Sequence, residues 1–194
     1  MKPVVVVLEF GAKSTGEPCA TIDVTCDAAP SLPDLSFPMS APRVMKVERT
    51  FWEKATAVHV MSLGGKLRNE RYSRHWYDLV QLDARGHATS ALAAKDVAEQ
   101  VARHKSVFFS EKAGGFVVDY KVAVSGGLLL VPPAGATFDQ LKADYDKMVE
   151  DGLLQTPVLT FEELMAKAGE LERRVNVAMR EGLGASKLHH RTIK

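Results

Sequence analysis

The pattern of apolar and polar positions changes character once along the chain. Val4 to Phe10 is a largely β-branched apolar run that ends at Glu9, Phe10 and Gly11, as expected of a strand buried on both faces. Ala20 to Thr25 alternates apolar and polar residues and reads as a second strand, antiparallel to the first. Asp27 to Pro42 holds Pro30, Pro33, Pro38 and Pro42, which makes it an irregular connection. From Arg43 the period becomes helical. Val47, Phe51, Ala55, Val58 and Met61 or Ser62 recur three to four positions apart up to Gly64 and Gly65.

Further helices follow from the same period. Ser73 is placed to cap a helix running to about Asp83, and Thr89 or Ser90 to cap another reaching Phe109. Between Ser110 and Gly127 a turn at Glu111 to Gly115 precedes FVVDYKVAV, which is compatible with a strand. Leu128 to Val131 is a short apolar run stopped by Pro132 and Pro133. Thr137 with Gln140, and Thr160 with Glu163, have capping-box spacing. The first opens a helix with Phe138, Leu141, Tyr145 and Met148 on one stripe. The second opens the strongest helix signal, with Leu164, Ala168, Leu171, Val175 and Met179 on one face and Gly182 and Gly184 closing it. The expected fold class is α+β: a small β segment over residues 1–42, then a mainly helical domain over 43–194.

Composition narrows the classes of function. The 194 residues are 46% hydrophobic and 25% charged, with a net charge of +1, so no whole-molecule field calls for nucleic acid or a membrane. No run of about 18 apolar residues occurs, and the expected location is the cytoplasm. Cys19 and Cys26 form neither a disulfide framework nor a C-x-x-C motif. The chain lacks a P-loop, G-x-G-x-x-G, H-E-x-x-H and a nucleophile elbow.

Chemistry concentrates in Thr50 to Leu82. Lys66, Arg68, Arg71, Arg74 and His75 form a local basic patch within ten positions. Glu53 and Lys54 are adjacent, so on a helix they diverge by roughly 100 degrees and do not pair. A solvated helix face accounts for them; alternatively Lys54 serves as a point charge for phosphates. Arg71, Arg74 and Asp78 line one helix face, with Arg74 and Asp78 at ion-pair spacing. They read either as a surface salt bridge or, with Lys54, as an anion site in which Asp78 orients a cation or His75. His59, in an apolar helix, reads as a satisfied core residue. Glu9 lies either at the rim of its sheet, in water, or in a metal or nucleotide site at the strand's carboxyl end.

Four segments in order carry a resemblance: VVVVLEFGAK, ERTFWEKATAVH, RYSRHWYDLVQL and ATFDQLKADYDKM. Together they resemble the nucleotidyltransferase-like toxins of the AbiEii/AbiGii abortive-infection group, from type IV toxin–antitoxin systems. The resemblance implies a Mg²⁺-dependent nucleotidyltransferase. Glu9 would be the last metal carboxylate, Lys54 the phosphate-holding lysine and Asp78 a member of the same catalytic site. Arg71, Arg74 and His75 would join Lys54 in binding the nucleotide. An NTP, tRNA and a cognate antitoxin are the implied partners.

The chain departs from the family pattern in lacking the Gly-Ser and Asp-x-Asp motifs that carry the first two metal carboxylates. The expectation is a truncated toxin component, inactive alone, completed by a missing N-terminal half. The sheet edge left open predicts association, including a homo-oligomer. The alternative is a non-catalytic nucleotide- or protein-binding module that self-associates.

Overall fold

The computed structural model describes residues 15–64, 71–154 and 157–189. The chain divides into two compact units, Met1–Lys46 and Val47–Lys194. Elements of the fold are β1 (Cys19–Thr21), β2 (Arg43–Met45), α1 (Val47–Ser62), α2 (Arg74–Ala84), α3 (His87–Ala93), α4 (Lys95–Phe108), β3 (Lys112–Ala113), β4 (Phe116–Val117), α5 (Tyr120–Val124), α6 (Ala136–Glu150) and α7 (Phe161–His189). The class is α+β, as expected, with two small antiparallel sheets and long helices.

In the first unit β1 pairs with β2, placing Cys19 opposite Met45 and Thr21 opposite Arg43. A further bridge joins Val24 to Ser40. The second strand is therefore shorter than Ala20–Thr25, and its partner comes from residues expected to begin the helical region. The proline-rich connection is the loop of this hairpin and returns the chain to the strand it left. The run Val4 to Phe10, with Glu9, lies outside the described residues.

In the second unit α1 is the axis. Phe51, Trp52, Ala55 and Val58 have no exposed surface, and α2, α3, α4 and α5 all pack on this helix. Trp52 donates its indole N–H to the Ala91 carbonyl at 3.0 Å. The small residues Ala88 and Ala91, both fully buried, leave room for that approach. The helix expected from Thr89 or Ser90 to Phe109 is in fact two helices. Ala94, at φ −86° and ψ 62°, leaves the helical region, and Ser90 donates its hydroxyl to the His87 carbonyl instead of capping.

Several helix starts differ from their sequence signals. Ser73 makes no side-chain cap. Instead the amides of Arg71 and Ser73 donate to the Asp144 carboxylate of α6, at 2.6 and 2.7 Å. The cap is supplied from across the fold, and Arg71 takes a left-handed φ of 65° beside it. Helix α6 begins at Ala136 after Gly135, without the expected Thr137 cap. The Thr160–Glu163 box does form: Glu163 accepts from the Thr160 amide at 2.7 Å, and Thr160 Oγ1 accepts from the Glu163 amide at 3.2 Å. Helix α7 then runs past Gly182 and Gly184 to His189, since a helical glycine costs only about 1 kcal/mol. Its expected apolar face, Leu164 to Met179, is buried throughout.

The segment FVVDYKVAV is a strand only over Phe116–Val117. The Asp119 carboxylate then accepts from the Lys121 amide and starts α5. Leu128 and Leu130 are buried and Leu129 and Val131 half-buried, yet the segment pairs with no strand among the described residues. Side chains meet its backbone instead. Leu128 exchanges two hydrogen bonds with the Asn176 amide, 2.7 and 2.8 Å. The Leu129 N–H donates to His59 Nδ1 at 3.0 Å. The Leu130 and Val131 amides donate to Glu172 Oε2, and Trp76 donates its indole N–H to the Leu130 carbonyl at 2.6 Å. His59 is thus the satisfied core histidine that its apolar surroundings suggested.

Burial lowers the His59 pKa from 6.5 to about 4. The native state binds the His59 proton less readily than the unfolded chain, so the stability contributed is complete above pH 6.5 and is lost as pH falls toward 4. Melting temperature should drop across that window, by an amount equivalent to roughly 1–3 kcal/mol. In His59→Gln, whose amide oxygen still accepts from Leu129, the slope should flatten. A second check lies at the cross-fold cap: Asp144→Ala should cost about 1–3 kcal/mol in urea unfolding, because two amides at the head of α2 lose their acceptor.

Candidate functional site

Lys54 and Asp78 meet because each sits at the edge of an apolar helix face. On α1, Lys54 lies between the buried Phe51 and Ala55; on α2, Asp78 lies between the buried Tyr77 and Leu79. Their stems are covered at the α1–α2 seam while their tips reach its rim. Lys54 Nζ donates to Asp78 Oδ2 at 2.7 Å, with the side chains 25% and 36% exposed. Arg74 does not take Asp78 as the helical spacing suggested. Arg74 is exposed, and no ion pair of Arg74 is found among the described residues.

Nor do Glu53 and Lys54 form a solvated helix face. Glu53 accepts from Arg49 at 2.9 Å and pairs with Lys105 of α4 at 3.1 Å, in a half-buried setting. His75 lies by these charges. Its ring packs edge-on against Tyr72 at 4.9 Å, and its buried Nδ1 has no hydrogen-bond partner. Burial first, then the charges of Lys54 and Arg74, push its pKa down to about 4, against the pull of Asp78. His75 is therefore a neutral imidazole at pH 7.

The Lys54–Asp78 pair forms part of the wall of an open cleft of about 530 Å³. Gln81, Arg85, His87 and Leu153 line it as well. None of these four was singled out from sequence, yet a signal existed. Gln81 on α2 and Arg85 just past its end stand three and seven positions after Asp78, in line with one helix face. Arg71, Arg74 and His75 are not part of this lining. Arg74 and His75 stand on the first turn of α2, with Arg71 just before it.

Chemically, the cleft sets three basic side chains, Lys54, Arg85 and His87, against one carboxylate, beside an apolar wall. It suits an anion attached to an apolar body, as in a phosphorylated small molecule. Among the described residues no group of three or more His, Cys, Asp or Glu side chains converges to hold a metal ion, and Asp78 faces a lysine. These residues do not fit a magnesium centre. Glu9, Lys66 and Arg68 lie outside the described residues.

The second unit is mainly helical, with an open cleft beside the Lys54–Asp78 pair. The family is settled by comparison: residues 1–167 match the family model of the nucleotidyl transferase AbiEii toxin of type IV toxin–antitoxin systems. The chain belongs to that family, and membership implies a toxin with a cognate antitoxin. No curated protein and no solved structure matches the chain. Among the described residues no helix is long and apolar enough to cross a membrane.

The charges around His75 make its titration a probe of this geometry. Removing a neighbouring cation in Lys54→Met should raise the His75 pKa, and Asp78→Asn should lower it further. Both shifts are readable by NMR of the imidazole. Unchanged titration in both variants would place the Lys54–Asp78 pair away from His75.

Proposed function

We propose that this chain supplies the phosphate-holding part of a nucleotidyl-transfer site. Lys54 neutralises the phosphates of a bound NTP, and Asp78 holds Lys54 at the rim of the cleft until they arrive. Arg74, on the first turn of α2, and Arg71 just before it add positive charge for the triphosphate, while His75 beside them is a neutral imidazole and adds none. The acceptor is RNA, with tRNA the species to test. The single observation carrying this reading is the half-buried Lys54–Asp78 pair opening onto the cleft, since a lysine held at a seam is a preorganised cation for phosphate charge. Magnesium belongs with carboxylates beyond the described residues, Glu9 among them.

The test is incubation with radiolabelled NTP, Mg²⁺ and tRNA. Wild type should bind labelled NTP by itself and yield labelled RNA once a chain carrying the Gly-Ser and Asp-x-Asp motifs is added, and Lys54→Ala should lower that yield on the order of 10²-fold, as for loss of one preorganised charge in other enzymes. Equal labelling by the variant would sink the assignment of Lys54. Nucleotide binding without any labelled product would favour the non-catalytic, self-associating module over the toxin enzyme.

A further inference from the structure

A second cavity, of about 510 Å³, borders α1 apart from the Lys54–Asp78 cleft. It shares no lining residue with that cleft, and His59 in its wall stands roughly 140 degrees around the helix from Lys54. Much of the wall is apolar. Phe116 and Val117 of β4, Val122 of α5 and Leu63 just past α1 line it, and they are left 80%, 62%, 47% and 42% exposed. Exposed apolar side chains gathered on one concavity mark a binding surface.

Two hydrogen-bond donors without protein partners interrupt that surface. His59 Nδ1 accepts from the Leu129 N–H, so the single proton of the neutral ring sits on Nε2. Nε2 has no partner among the described residues, and it is not sealed from solvent. In a residue only 2% exposed, it opens into the cavity that His59 lines. Arg180 of α7 donates Nε–H to the Gly126 carbonyl at 2.8 Å, and a Cβ on Gly126 would collide with Arg180 Cγ. The stem is seated there, while the two terminal nitrogens have no partner among the described residues. Asp119, also in the lining, accepts from the Lys121 amide. Its charge offsets that of Arg180, so the cavity suits a monoanion better than a phosphate dianion.

We propose that this cavity binds a small apolar keto acid, with its carboxylate on Arg180, its hydrocarbon body along Val117 and Val122, and its carbonyl oxygen on His59 Nε2–H. Gly126, which holds Arg180, and Leu129, which holds His59, are close in the chain, so these anchors stand within about 10 Å of each other. One small molecule spans that separation. A plain hydrocarbon would leave the His59 donor unmet, and a fully polar acid would leave the apolar wall in water.

The probe is 4-benzoylbenzoate, which carries a carboxylate and a ketone across one aromatic ring, titrated into the chain by calorimetry. Two analogues each change one group: 4-benzylbenzoate lacks the ketone oxygen, and 4-benzoylbenzamide replaces the carboxylate by a neutral amide. Each should bind wild type about tenfold more weakly than the keto acid. In Arg180→Met, shown to be folded by circular dichroism, the keto acid should fall to the affinity of the amide, and the amide should bind as it does to wild type. Near-ultraviolet irradiation of the bound ketone should attach it within residues 113–129, read by peptide mass spectrometry. Failure of the keto acid to bind, an affinity unchanged by loss of either group or by Arg180→Met, or attachment in α2 instead would overturn the assignment.

Discussion

A stretch of buried backbone without a sheet to receive it constrains the whole helical unit. Leu128 to Val131 brings amides and carbonyls into the core, where each unmet group costs on the order of 1–3 kcal/mol. His59 of α1, Trp76 of α2, and Glu172 and Asn176 of α7 meet them. Each of these side chains has a set reach, so the three helices are held at definite positions along one another. The depressed His59 pKa follows from the same arrangement: the ring must stay neutral to accept from Leu129 while buried.

The candidate site inherits that order. Trp76 points inward to the Leu130 carbonyl, and two positions on in α2, Asp78 comes to the rim of the seam. His59 holds α1 to the same segment, and five positions earlier Lys54 comes to the opposing rim. The Lys54–Asp78 pair is partly exposed, so its own contribution to stability is small, about 1 kcal/mol or less. Its value is positional. Core packing sets the separation of the helices, and the pair then presents a cation at a cleft that also holds Gln81 and Arg85.

Much of this was legible because helix-period burial is a local signal. The faces Phe51–Ala55–Val58, Leu141–Tyr145–Met148 and Leu164–Ala168–Leu171–Val175 are buried as their spacing requires. Caps were less legible. Thr160–Glu163 formed, since both partners lie within one turn. Ser73 did not, because Asp144, more than seventy positions away, offers the α2 amides a charged acceptor. For the same reason Arg74 and Asp78, correctly spaced on one helix, do not pair: a lysine from α1 reaches Asp78 instead.

By itself, then, the sequence determined α1, α2, α6 and α7 of the second unit, their core faces, the core role of His59 and, through four ordered segments, the family. Only the tertiary structure decided that Lys54 faces Asp78, that Glu53 is shared by Arg49 and Lys105, that β1 pairs with Arg43–Met45, and that Gln81 and Arg85 share their cleft. The reason is physical. Periodicity records which side of an element is buried, because that depends on neighbours three or four positions away. It carries no record of which distant element arrives to bury that side, and charge pairing at a helix seam depends on that arrival.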